Sequence, residues 1–351
     1  MEYAALGRTG MRVSRLCLGT MMFGAWGNPD HDACVRMVHD ALDAGVNFVD
    51  TADVYAFGES ERILARALKG RRDDIVLATK FGEAMDPGEP LRRGASRRWI
   101  MRAVEDSLRR LDTDHIDLYQ LHRPDPHTDP DETLGALTDL VRQGKVRAIG
   151  SSALPAEGIV EARRIAERRG HERFAVEQLA YSAFARHAES AALPTCGRHG
   201  LGVMAFSPLN GGWLSGKYRA GAAVSADSRA VRNAEHFDHA DAAIRARKLS
   251  LVEEFAVIAA DANCTLPELA LAFALAHADV TAAIIGPRTP EQLQAQLGAC
   301  EVELTPEVLA RLDALVPPGT DVNPADSPYP RPVPARRRTA GREHREGTEP
   351  R

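Results

Sequence analysis

NFVDTADVYAFGESERILARALKGRRDDIVLATK, residues 47–80, holds a complete structural unit. A short apolar run, 47–50, ends on Asp50. A helical pattern over 59–68 then sets Ile63, Leu64, Ala67 and Leu68 on one face. A second apolar run, 75–79, ends just before Lys80. Runs of four or five apolar residues are too short for helices and fit buried parallel strands.

Working outward, the same unit recurs to both ends of the chain. Candidate strands lie at 15–18, 47–50, 75–79, 116–121, 148–150, 174–177, 203–206 and 282–285. Helical patterns fall between them at 32–44, 59–68, 96–111, 131–142, 155–169 and 244–262. Strand followed by helix, eight times over, predicts a parallel sheet with crossover helices. Closure into an α/β (β/α)8 TIM barrel is its natural eight-strand form. Ser96 and Pro155 fit helix starts, and Gly45 and Gly170 fit helix ends.

Two features depart from the repeat. A long loop, 207–241, follows the seventh strand and carries Gly211, Gly212, Gly216 and Gly221; loops of this length are usually functional or mobile. Additional helices flank the eighth strand at 267–276 and 290–297, and a last helix at 306–315 closes the domain. The expected division is a barrel over 1–316 and a mobile Pro/Arg-rich tail over 317–351, with 335–351 disordered.

Composition sets the class. The chain has 351 residues, 44% of them hydrophobic and 26% charged, which suits an ordinary globular protein. A net charge of −5 with no basic face predicts no nucleic-acid partner. No apolar run has the length of a signal peptide or membrane span, so a cytoplasmic location without membrane attachment is expected. The five cysteines form no metal or redox spacing, and no metal is expected. Only five lysines stand beside 39 arginines. A lysine at an apolar strand end is then present for chemistry that arginine does not supply.

Barrel active sites sit at the C-terminal ends of the strands. There the sequence places Asp50 and Tyr55 (FVDTADVY), Lys80 (VLATKFG) and His122 (LYQLHRPD). Taken singly, each has a plainer reading: a helix cap, a packing aromatic, a snorkelling strand-end cation, a rim histidine. Together they converge on one barrel mouth and divide a task. A carbonyl that accepts hydride needs a proton. Tyr55 can donate it, Lys80 held by Asp50 would favour the phenolate, and His122 would hold the substrate oxygen.

On these residues the chain resembles the aldo-keto reductase superfamily from about Leu6 to Leu315. The segment Asp50-x-Ala52-x-x-Tyr55 with Gly58 and Glu59, the strand ends Lys80 and His122, and the first strand end at 18–21 carry the likeness, which also implies an N-terminal β-hairpin ahead of the barrel. The resemblance implies a catalytic tetrad of Tyr55, Lys80, His122 and Asp50. It also implies NADPH (NADP+) bound across the barrel mouth rather than on a Rossmann fold, for which no G-x-G-x-x-G is present. By resemblance, Ser152 and Gln178 hold the nicotinamide carboxamide and Phe206 faces its ring. Ser207, Leu209, Gly212 and Lys217 cover the pyrophosphate. Gly286, Arg288, Thr289, Gln292 and Gln296 receive the adenosine and its 2′-phosphate. Ala153, Ala295 and Gln296 depart from residues frequent in relatives, which leaves one carboxamide contact and the adenine contacts open.

The expected reaction is NADPH-dependent reduction of an aldehyde or ketone to an alcohol, with the reverse oxidation available. A small-molecule carbonyl is the expected partner, and the chain could be a monomer or a homo-oligomer. Met22, Phe23, Trp26, Phe57 and Phe81 are candidate pocket residues for an apolar substrate. Arg123 would meet an anionic substrate or pair with Asp125. Two alternatives stay open: the same chemistry on a specialised sugar or natural-product ketone, and a cofactor-sensing regulatory subunit resembling potassium-channel β subunits.

Overall fold

A computed structural model describes residues 1–86, 88–225, 228–232 and 241–327. The predicted tail 335–351 lies outside the described residues. The chain opens with an antiparallel hairpin of β1 (Tyr3–Ala5) and β2 (Arg12–Ser14). Eight parallel strands follow: β3 (Leu16–Gly19), β4 (Phe48–Asp50), β5 (Val76–Phe81), β6 (Ile116–Leu121), β7 (Val146–Ser152), β8 (Val176–Ala180), β9 (Gly202–Phe206) and β10 (Ala282–Ile285). Each pairs with the next, and β10 returns to β3, so the sheet is a closed barrel. The expected (β/α)8 architecture is what the chain adopts.

Its helices are α1 (His31–Asp43), α2 (Glu59–Ala67), α3 (Arg97–Leu111), α4 (Pro130–Arg142), α5 (Ala156–Arg169), α6 (Ala192–His199), α7 (Arg229–Arg232), α8 (Ala242–Asp261), α9 (Leu266–Ala276), α10 (Pro290–Leu297) and α11 (Pro306–Leu315). Local chemistry sets several starts. Asp30, Ser96 and Thr289 each accept a first-turn N–H, and Thr265 forms a reciprocal capping box with Glu268. No single helix among the described residues is long and apolar enough to cross a membrane.

The twofold period of a strand sorts the side chains. Cys17, Phe48, Ala78, Leu118, Val176, Met204 and Ala282 point into the barrel, where Leu6 and Val13 of the hairpin join them as a plug. Gly7 makes that plug fit. It has φ +55, and a Cβ there would lie 2.6 Å from both the Ala175 carbonyl and the Gly202 nitrogen. The alternate residues Val49, Leu77, Phe81, Tyr119, Ile149, Leu179 and Val203 face the helices and form the larger core.

The same alternation aims the next inward layer at the mouth. One step above Phe48, Ala78, Leu118 and Val176 lie Asp50, Lys80, Gln120 and Gln178. Lys80 stands beside Gln120, and Gln178 beside Ser152, in the paired ladders.

The chain does not leave the barrel at Pro317, where the tail was expected to begin. The Arg186 N–H donates to the Thr320 carbonyl and the Val322 N–H to that of Phe184, at 3.0 and 2.8 Å. The Arg186 guanidinium reaches Asp313 and the Val316 carbonyl at 2.7 and 2.6 Å. Residues 317–327 are therefore fastened to the body of the domain, and the division expected at 316/317 does not separate packed chain from mobile chain.

Candidate active site

Lys80 is fully buried, and its ammonium spends all three donors locally. Nζ reaches Asp50 Oδ2 at 2.5 Å, the Thr51 carbonyl at 2.8 Å and the Tyr55 hydroxyl at 3.3 Å. An ammonium only donates, so the Tyr55 oxygen accepts here and its own proton is free to point elsewhere. The other Asp50 oxygen accepts from the side-chain amides of Gln120 and Gln178 at 3.2 and 2.9 Å. The buried carboxylate is thus paired and fully hydrogen-bonded, as a charge in this position must be.

His122 stands against Tyr55, ring to ring at 5.7 Å and nearly perpendicular. Burial, reinforced by the charges of Lys80 and Arg123, holds its imidazole well below the usual histidine range. It is a neutral ring at physiological pH and can still donate one hydrogen bond. Tyr55 departs from the expectation that Lys80 would pull its pKa down. Burial pushes the phenol up and outweighs the pull of Lys80. The group is a protonated acid at rest, and Lys80 stabilises the phenolate only as the proton leaves.

Asp50, Tyr55 and His122 line a cavity of about 530 Å³ that extends to Gln292 and Gln296. Ser152, Gln178, Phe206, Ser207, Leu209, Gly212, Lys217, Gly286, Arg288, Gln292 and Gln296 all lie on its wall. Ser152 closes β7, and Gln178 lies inside β8 rather than after it. Among the described residues, four buried polar atoms of cavity-lining side chains, His122 Nδ1, Ser152 Oγ, Ser228 Oγ and Gln296 Oε1, lack any protein partner. Such orphans are expected where a polar ligand completes the hydrogen bonding.

The expected pocket residues separate into three groups. Met22 is on the cavity wall. Phe23 and Phe81 are not: both are fully buried in the outer core. Phe81 has the opposite strand parity to Lys80 and stacks on Tyr119 at 4.8 Å. A turn that the Phe23 N–H closes onto the Thr20 carbonyl leads Phe23 inward and leaves Met21 and Met22 on the cavity. Trp26 and Phe57 form an aromatic rim, 40% and 50% exposed, with ring centroids 5.8 Å apart. Trp26 also lies 6.3 Å from the Tyr55 ring.

Backbone strain holds Phe57 outward. Ala56 and Phe57 are left-handed, at φ +45 and +53, and Gly58 continues the run at φ +86. A Cβ on Gly58 would meet the Arg110 side chain at 2.5 Å. Strain of this kind, of order 1–3 kcal/mol per residue, persists where the surroundings enforce it.

Other site residues escape a reading of strand ends. Lys248 is buried, donates to Asn210 Oδ1 at 3.0 Å and pairs with Asp326 at 2.9 Å. Asn210 in turn donates to Asp326 at 3.0 Å. This triangle ties the cavity loop after β9 to the fastened C-terminal segment. Ser207 and Asn210 in that loop are left-handed, at φ +54 and +48. Arg229, Tyr218 and Glu291 also line the cavity. Lys248 lies in α8, away from any strand end, so the scarcity of lysine singles out Lys80 and not Lys248.

Glu177, on the outward face of β8, supports the site from behind. It accepts from Ser151 Oγ at 2.5 Å and from the Leu154 N–H at 2.9 Å. These bonds brace Ala153, left-handed at φ +55, beside Ser152. Burial pushes the Glu177 carboxyl up to about 8, against the lowering effect of those two bonds. A free glutamate titrates near ~4.3. Between those values the folded chain keeps a proton that the unfolded chain has lost, so stability falls as pH rises. Glu177→Gln is expected to flatten the fall in Tm between about pH 5 and 8. Parallel Tm–pH curves for variant and parent would contradict this assignment.

Comparison with known proteins agrees with the geometry. The family model described as Aldo/keto reductase family matches residues 15–317. A Bacillus subtilis (strain 168) protein named Uncharacterized oxidoreductase YrpG is 42% identical over 327 residues, covering 90% of this chain and 96% of that protein. Two plant proteins, from Oryza sativa subsp. japonica and Arabidopsis thaliana, are each named Probable voltage-gated potassium channel subunit beta. Each is 36% identical, covering 90% of this chain and 97% of its own length. With its closed barrel and the Tyr55–Lys80–Asp50 cluster at the mouth, this chain belongs to the aldo/keto reductase family.

Proposed function

We propose that the protein reduces an aldehyde or ketone to an alcohol with NADPH. The observation that carries this reading is Tyr55, a phenol that accepts from Lys80 and is left with its proton for the cavity. When bound, NADPH supplies the hydride for the carbonyl carbon. As the C=O electron pair moves onto oxygen, Tyr55 gives its proton there, and Lys80 steadies the phenolate that remains. His122, neutral and adjacent, donates a hydrogen bond to the same oxygen. Lys80 remains buried and acts through Tyr55, with Asp50 on the cavity wall holding it in place.

The cavity chemistry fits the cofactor. The amide nitrogen of Gln178 is committed to Asp50, which leaves its oxygen to accept from a carboxamide. Ser152 Oγ needs a partner at the same end. At the other end, Arg288 precedes Thr289, the cap of α10, so a guanidinium and a helix N-terminus lie together for a phosphate. Arg288→Ala is expected to weaken NADPH by about tenfold or more and NADH much less, since a charged hydrogen bond contributes ~1.5–3 kcal/mol. Fluorescence titration with both cofactors checks this. Equal losses would remove Arg288 from the 2′-phosphate site.

Incubation with NADPH and a panel of aldehydes and ketones, followed by identification of the alcohols formed, tests the reaction. A second reading, a cofactor-sensing subunit, is favoured by the two plant relatives named as channel subunits. It requires tight NADPH retention, negligible turnover on the panel and co-purification with another chain.

A further inference from the structure

One charged group in the chamber has no task in the acid–base chemistry. Arg123 directly follows His122 and lines the same cavity as Tyr55 and His122. Its guanidinium lies over the Phe206 ring at 5.7 Å. Its charge is felt at Tyr55, His122 and Glu177, in each case behind the larger effect of burial. The guanidinium therefore sits within electrostatic reach of the place where a carbonyl would be reduced.

Its protein partners are weak. Asp125, the partner expected on sequence, is occupied by the Ala95 and His127 N–H groups and the Thr128 hydroxyl at 2.8–2.9 Å. Arg123 instead meets Glu83, at 3.8 Å and with both side chains about 40% exposed. It also makes one long bond, 3.3 Å, to the His122 carbonyl. A half-exposed pair at that distance contributes little and can be displaced. A guanidinium matches a carboxylate with two parallel hydrogen bonds, a better fit than this single loose contact.

Beside Tyr55 lies an apolar, aromatic surface. Trp26 and Phe57 present an edge-to-face pair beside Tyr55, and Met21 and Met22 continue the surface. Exposed rings, one of them on a left-handed backbone at Phe57, suit a flat apolar group.

We propose that Arg123 is the specificity-determining residue, and that the substrate class is an aldehyde or ketone bearing a carboxylate on a flat, apolar body. The carboxylate takes the Arg123 fork from Glu83, the apolar body lies toward Trp26 and Phe57, and the carbonyl meets Tyr55 and His122. This rests on the reductase reading above, and the test separates the two.

The test compares 2-, 3- and 4-carboxybenzaldehyde with their methyl esters, read by NADPH consumption. At the best ring position the acid is expected to exceed its ester in kcat/KM by about tenfold or more, carried mainly by KM, as a charge-assisted contact predicts. Arg123→Leu should bring the acid/ester ratio close to one, Arg123→Lys should restore part of it, and Glu83→Gln should raise it. Brisk turnover of the esters with a ratio near one at every position overturns the carboxylate assignment and leaves the reductase reading standing. If no carbonyl is reduced, the reductase reading fails, and tryptophan fluorescence still reads the site. Tighter binding of benzoate than benzamide, lost in Arg123→Leu, supports the anion site. Equal binding overturns it.

Discussion

Tyr55→Phe is expected to lower kcat by about 10²–10⁴-fold, the usual contribution of a positioned general acid. The phenol oxygen accepts from Lys80, which leaves its own proton free for the cavity, and on the proposed reading that proton completes the alcohol. The ring itself remains, and with it the packing against Trp26 and His122. NADPH affinity should change little, because the hydroxyl serves the substrate end. Losses in kcat and kcat/KM should therefore run together, the mark of an interaction made in the transition state. Steady-state kinetics with an aldehyde that the parent turns over decides the point. Near-parental turnover in the variant would remove Tyr55 as the acid.

Lys80→Met is expected to destabilise the fold by about 3–5 kcal/mol at neutral pH, the usual result of removing one partner from a buried ion pair. Asp50, 2% exposed, would be left charged with only the Gln120 and Gln178 amides facing it. Adding Asp50→Asn should recover much of the loss, since the orphaned charge is what the single variant cannot tolerate. The pH dependence has a defined sign. Burial opposes the Lys80 charge, but Asp50 and Tyr55 more than offset it, so its titration lies above that of a free lysine. Stabilisation by the pair is complete below about pH 10.4 and is lost as pH climbs through the folded value. Denaturant melts of the single and double variants measure the effect. A single variant as stable as the parent would contradict the buried-pair reading.

Much of the fold was legible because each barrel strand is short, apolar and followed by a helix-period run. The unit at 47–80 carries β4, α2 and most of β5 within a residue or two of the expected bounds. Helix α6 was not read. Its eight residues, ALPTCGRH, include Pro194 and Gly197 and look like loop. β8 lies two to three residues later than expected, because 174–180 is apolar enough to be cut at several points.

The cluster at the mouth was legible because Asp50, Lys80 and His122 each break an apolar run at a strand end. The pocket aromatics were read less well, and strand parity explains Phe81. Lys80 faces the barrel interior, so its neighbour must face the helices. The Lys248–Asp326–Asn210 triangle joins residues 38 to 116 positions apart. No local pattern marks such a contact. The exchange of Asp125 for Glu83 as the partner of Arg123 likewise follows from loop geometry: Asp125 is consumed by nearby N–H groups before the guanidinium can reach it.

The most direct test follows the hydride. NADPH carrying deuterium at both C4 positions of the nicotinamide is incubated with the protein and an aldehyde, and the alcohol is examined by mass spectrometry. The expected result is alcohol carrying one deuterium on the carbinol carbon, formed by the parent and nearly absent with Tyr55→Phe. Alcohol without label, or no alcohol from any aldehyde or ketone despite bound NADPH, would contradict carbonyl reduction at this site.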